Sequence, residues 1–131
     1  MKIERTEMML IVEGACKMAF QDGKFLPEEK NFLDKVGNLA RIAPEVMEQN
    51  YDQDMLMDLD QIIDEIQSDE GRKLLLLTIA AVAAIDKEIH ESELQLINQV
   101  SAKLKLPNLH LTDFNHIELA KKAMLLIKKH A

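Results

Sequence analysis

The chain has little of what builds covalent or backbone-cradled sites. Its 131 residues include one cysteine, three prolines, four glycines, one tyrosine and no tryptophan. A lone cysteine, Cys16, excludes an internal disulfide and fits a reducing compartment, so a cytoplasmic location is expected. Its neighbours Ala15, Met18 and Ala19 point to a buried, inert thiol rather than a nucleophile. The scarcity of glycine makes a phosphate cradle hard to build, and no G-x-S-x-G, P-loop or G-x-G-x-x-G pattern occurs. Basic charge is short as well: 16 Lys and Arg stand against 23 Asp and Glu, a formal net charge of −7. That balance argues against a nucleic-acid-binding surface, which needs a basic footprint. The histidines (His90, His110, His116 and His130) lack H-x-x-x-H or H-E-x-x-H spacing, so zinc is not expected. The most apolar run, Leu74–Ile85, has 12 residues where a bilayer needs about 20. The start, MKIERTEMML, mixes charges into its apolar residues and reads as no secretory signal. With neither a nucleophile–base pair nor a closed metal site, no enzyme active site is expected.

Helix formers dominate what remains, and no stretch alternates apolar and polar residues in the strand period. A first helix is expected over residues 3–21, with Met8, Ile11, Val12, Ala15, Met18 and Ala19 on one face. Asp22-Gly23 stops it, because glycine tolerates the left-handed exit. Pro27 suits the first position of a second helix reaching Ile42, its missing N–H costing nothing there. Phe32, Leu33, Val36, Leu39 and Ala40 point inward. Pro44 opens a short third helix, and Asp54–Ile66 reads as a fourth, with Met55, Leu59, Ile62, Ile63 and Ile66 on one side. Ser68 or Asp69 caps the apolar helix that ends near Ile85. The next begins at His90 and turns Leu94, Ile97, Val100 and Leu104 inward until Pro107. A last helix covers 113–129, with Ile117, Ala120, Met124, Leu125 and Ile127 apolar.

An offset of 64 residues lays Ala19–Val36 over Ala83–Val100. Ala19 pairs with Ala83, Asp22 with Asp86, Glu29 with Glu93 and Val36 with Val100. Apolar positions match too: Phe25 with Ile89, Phe32 with Leu96, Leu33 with Ile97. Each copy reads as an apolar helix, an Asp-led turn, and a second helix with Glu in its first turn. The repeat units cover about 5–42 and 70–106 of a single domain. Two copies at so long a period argue for an all-α, six- or seven-helix bundle with internal two-fold pseudo-symmetry, not a solenoid.

The stretches AFQDGKFLPEEKNFL and AAIDKEIHESELQLI, placed around an acidic middle, resemble the tellurite-resistance TerB-like family over about residues 5–106. A related domain occurs in DjlA-type co-chaperones, whose J-domain and membrane anchor have no counterpart here. The resemblance implies a bacterial, all-α, TerB-like bundle without known catalysis, acting in a stress response of the tellurite-resistance type. It also implies an acidic surface proposed to bind divalent cations such as calcium. Lys87 departs from the family's usual Gly, and Leu26 stands where a capping Asp or Ser is common.

Two groups of residues carry the functional expectations. Asp22, Glu29, Asp86 and Glu93 could supply oxygen ligands to Ca²⁺ or another divalent cation. An EF-hand is excluded, because its first and third loop positions would be Met18 and Phe20, or Val82 and Ala84. The alternative is purely structural: each Asp accepts N–H bonds at its turn, and each Glu caps a helix N-terminus. The second group lies between Pro44 and Gly71, where ten carboxylates meet no Lys or Arg. That segment carries −10, and residues 103–131 carry six Lys against Asp113 and Glu118. Asp54, Asp58, Asp60, Asp64 and Glu65 read either as a surface for a basic protein partner or self-association, or as a solvated face. Like charges at i,i+4, Asp54 with Asp58 and Asp60 with Asp64, cost helix stability unless a cation or basic surface relieves them. The methionines Met8, Met9, Met18, Met47, Met55, Met57 and Met124 are scattered, and most are expected as core filler, although methionine also suits adaptable grooves.

Overall fold

The computed structural model describes residues 3–20, 25–85, 91–105 and 116–130. Among them are α1 (Arg5–Ala19), α2 (Pro27–Leu39), α3 (Pro44–Asn50), α4 (Leu59–Glu65), α5 (Asp69–Ala83), α6 (Glu91–Lys103) and α7 (His116–His130), with a 3-10 turn at Gln53–Met55. No strand occurs among the described residues, so the expected all-α helical bundle is what forms. None of the described helices is long and apolar enough to cross a membrane.

The duplication extends to element boundaries. α1 and α5 have 15 residues each, and α2 and α6 have 13 each. All four boundaries recur at the same offset: Arg5 and Asp69, Ala19 and Ala83, Pro27 and Glu91, Leu39 and Lys103. The exits of α2 and α6 match as well. Arg41 and Lys105 both turn left-handed at φ 59°, the non-glycine residues of positive φ among those described. Their N–H groups bond Asn38 and Ala102 carbonyls at 3.1 Å, and the preceding Ala40 and Leu104 bond Val36 and Val100 at 2.9 Å.

The core is centred where α1 lies on α5, the most extensive helix pairing of the bundle. α1 contributes Met8, Ile11, Val12, Ala15, Cys16, Met18 and Ala19, all nearly devoid of exposure, as their spacing predicted. α5 is buried from Leu74 through Ala84, which explains its short all-round apolar run. Thr78 joins that run because its hydroxyl donates to the Leu74 carbonyl at 2.7 Å, satisfying itself within the helix. Gly14 lets the two helices approach: a Cβ there would lie 2.7 Å from Leu75 Cδ1. α4 then packs on α1, and α7 packs on α5 and α2. Cys16 is fully buried, and desolvation, with the charges of Glu13 and Asp34, pushes its thiol up to about 12.

Polar clamps join chain-distant pieces. Ser68, not Asp69, caps α5, its Oγ accepting the Gly71 N–H at 3.0 Å. Glu7 of α1 accepts the Gln67 and Ser68 N–H groups at 2.8 and 3.1 Å and the Ser68 hydroxyl at 2.6 Å. Burial alone would raise the Glu7 carboxyl, but these bonds and the Arg72 charge outweigh it and hold it below its ordinary value. Arg5 donates to the carbonyls of Ala40 and Arg41 and so closes the C-terminus of α2.

Four expectations need correction. The fourth helix starts at Leu59, not Asp54, because Asp52 Oδ1 takes the Asp54 N–H at 3.1 Å and holds a local turn instead. Asp54 and Asp58 are therefore not helical neighbours, and Met55 is 62% exposed instead of inward. Leu94, placed inward by its spacing, is 41% exposed. α7 buries Leu119, Ala123 and Ile127 while Leu125 is 68% exposed, since the continuous run Ala123–Ile127 lets its neighbours choose the face. Finally, α2 ends at Leu39 rather than Ile42.

Candidate functional site

The proline at the first position of α2, Pro27, presets the helical φ, and Glu29 then reaches back to accept the Leu26 N–H at 2.9 Å. Leucine has no oxygen with which to return that bond, so half of a capping box forms. Glu29 is only 4% exposed, and Glu93, its counterpart in the first turn of α6, only 2%. Both have interaction partners. Glu29 thus serves as a helix cap, the structural role weighed for it above. Asp22 and Asp86, the other members of the cation set, lie outside the described residues, as do Gly23, Lys87, Ile89, His90, Pro107, His110 and Asp113. Among the described residues no three His, Cys, Asp or Glu are grouped to hold a metal ion.

The acidic middle is exposed at Asp54, Asp58, Asp60, Asp64 and Glu65. Asp60 pairs with Lys103 of α6. Of the five, Glu65 lines a half-open cavity of about 370 Å³ bounded by α1, α3, α4 and the chain between them. Met9 and Leu10 of α1, Ile42, Val46 of α3, and Met55 and Met57 form most of its wall, with Thr6, Gln49 and Asn50 at polar positions. Met9 and Met55 are among the few large apolar side chains exposed on the described surface. A thioether on an unbranched stem adapts to varied shapes, so exposed methionines around a cavity form a deformable apolar lip.

Glu13 of α1 completes the lining. Its Oε2 is withdrawn from solvent with no hydrogen-bond partner among the described residues. Desolvation and the charge of Glu65 push the Glu13 carboxyl up, against the smaller opposing effect of the Met57 backbone nearby. Among the described residues, no lysine, arginine or histidine lines the cavity to neutralise either acid. The sequence reading did not single out Glu13. A signal was present: its charge interrupts Ile11-Val12-Glu13-Gly14-Ala15, three and four residues after Leu10 and Met9.

A second cluster closes the far side of α3. Tyr51 donates to Asp34 of α2 and stacks at 5.3 Å on Phe25, which packs at 5.0 Å on Phe20. Lys30 bonds Asp34 at 3.2 Å and lies 5.1 Å from the Tyr51 ring centre. Desolvation, the bond to Asp34 and the neighbouring negative charges raise the Tyr51 phenol. These contacts pin α3 to α2 and so fix the wall of the groove that α3 supplies.

The chain matches no family model, no curated protein and no solved structure.

Proposed function

We propose that this chain is a non-catalytic interaction module of the TerB-like kind, which docks a basic amphipathic segment of a partner protein into the methionine-lipped groove. One observation carries the reading: exposed Met9 and Met55 and half-buried Glu13 surround one cavity, with no cation among the described residues of its lining. An amphipathic helix recognised this way lays its apolar face on the adaptable side chains and its basic flanks on acids at the rim. The acidic segment from Pro44 to Gly71 supplies those acids and speeds encounter with a basic partner. The resemblance of AFQDGKFLPEEKNFL and AAIDKEIHESELQLI to the TerB-like family supports a place in a bacterial stress response. The half capping box at Glu29 supports the duplicated glutamates as structural elements.

Since the chain has no tryptophan, a fluorescent label belongs on the ligand. Anisotropy titrations of a labelled leucine–lysine amphipathic helix should give saturable binding that weakens with salt. A scrambled peptide of identical composition should bind far more weakly. Met9→Ser and Met55→Ser, which remove the apolar lip at exposed positions without changing charge, should each weaken binding about ten-fold. Equal binding of the scrambled peptide, or indifference to both substitutions, would refute the groove.

A further inference from the structure

Building on the docking reading, we propose that Glu13 is the anchor for a lysine side chain presented from the apolar face of the docked helix. The cavity offers an acid where an apolar segment alone would need none. Its Oε2 is out of reach of solvent and has no hydrogen-bond partner among the described residues. An unpaired, desolvated carboxylate oxygen is costly to hold, and a cation delivered to it removes that cost. Glu65 shares the cavity, so two negative charges face one space, and no basic residue among those described lines it. A single positive charge entering from a ligand relieves both the desolvation of Glu13 and its repulsion by Glu65.

The shape of the site selects the kind of cation. Of the Glu13 carboxylate, Oε2 is the oxygen that is both buried and unpartnered, so the cavity offers one acceptor. A guanidinium needs two parallel acceptors to use its fork, whereas an ammonium is a compact charge satisfied by one strong acceptor and solvent. Lysine also carries a four-carbon stem, which the side chains of Met9, Leu10 and Met57 can cover as the charge passes inward. A lysine at the centre of an apolar face, which would penalise binding to a plain hydrophobic groove, is favoured here.

Two labelled helical peptides separate the possibilities. One has a single lysine at the centre of its leucine face, and its twin has norleucine there, the same stem without the ammonium. Wild type should prefer the lysine peptide by about ten-fold or more. Glu13→Gln should abolish that preference while binding the norleucine peptide at least as well as wild type does. Glu65→Gln should reduce the preference only in part. Binding of both peptides with equal affinity by wild type would overturn the anchor and leave the docking surface standing. Binding of neither would overturn both. A lysine preference that survives intact in a folded Glu13→Gln protein would assign it to the general acidity of the rim and overturn the role of Glu13. Should that variant fail to fold, Glu13→Asp keeps the charge but draws it back by one methylene. It should lower the lysine preference while leaving norleucine binding unchanged, and an unaltered preference would overturn the role of Glu13.

Discussion

α4 and α7 occupy corresponding places in the two halves of the bundle, and their surfaces carry opposite charge. α4 packs on α1 as α7 packs on α5, and 64 residues separate Leu59 from Ala123 and Ile63 from Ile127, all four buried. On the outer faces the same offset sets Asp58 against Lys122, Asp64 against Lys128 and Glu65 against Lys129. Burial demands matched apolar positions from both copies, whereas a solvated face tolerates either sign. The cavity follows the same division. Glu13 stands where the second copy has Leu77, and Met9 where it has Lys73, so the acid-floored groove belongs to the first half alone. A duplicated frame is therefore shared, and the candidate site arises where the copies diverge.

The largest test of the shared frame lies in its core. Leu33→Ala and Ile97→Ala truncate corresponding side chains, both with no exposure, and each should cost about 2–5 kcal/mol in urea denaturation. A difference beyond that spread would show that the copies are not energetically equivalent.

Glu7 sharpens the comparison from the other side, because its place in the second copy is taken by Gly71. Glu7→Gln should destabilise by about 1.5–3 kcal/mol at neutral pH, through weakened charge-assisted bonds to Gln67 and Ser68. Its folded carboxyl sits below the ordinary 4.5, so its contribution is complete above that value and is lost as pH falls through the folded-state pKa. The gap between wild type and variant in melts across an acid series should therefore close on acidification, and a gap that widens instead would contradict the clamp.

The duplicated glutamates come next, Glu29 as the cap of α2 and Glu93 at the matching position of α6. Glu29→Gln and Glu93→Gln should each lower stability by about 0.5–2 kcal/mol, and millimolar calcium should leave the wild-type melting temperature unchanged. A calcium-dependent rise that Asp22→Asn with Asp86→Asn removes would return these residues to cation binding. Arg41→Gly and Lys105→Gly, at the paired left-handed exits, should each gain up to about 1 kcal/mol, and to the same extent.

The smallest stability effects, within about 0.5 kcal/mol, belong to Glu65→Lys and Lys129→Glu on the diverged faces. Glu65→Lys should nonetheless weaken binding of the basic peptide, and Lys129→Glu should leave it unaltered or strengthen it. Equal effects would deny that the groove belongs to one half.

Helix existence was legible in sequence because it rests on local terms. Pro27 and Pro44 open helices as expected, a cap at Ser68 or Asp69 followed from residue type and the structure chose Ser68, and the face from Met8 to Ala19 follows from periodicity. The repeat was legible through Glu29, Glu93 and the apolar positions around them. Where local cues were ambiguous, reading failed. Five consecutive residues from Ala123 to Ile127 carry no face of their own, and packing against α5 and α2 chose Ala123 and Ile127 over Leu125. Asp54 looked helical until Asp52 captured its N–H.

The sequence by itself determined an all-α chain, its duplication and its uneven charge, since composition, period and spacing are properties of neighbours along the chain. Only the tertiary structure decided that Met9 and Glu13 of α1 would meet Met55, Met57 and Glu65 around one cavity. Such a meeting depends on how α4 lies across α1, and no spacing along the chain encodes it.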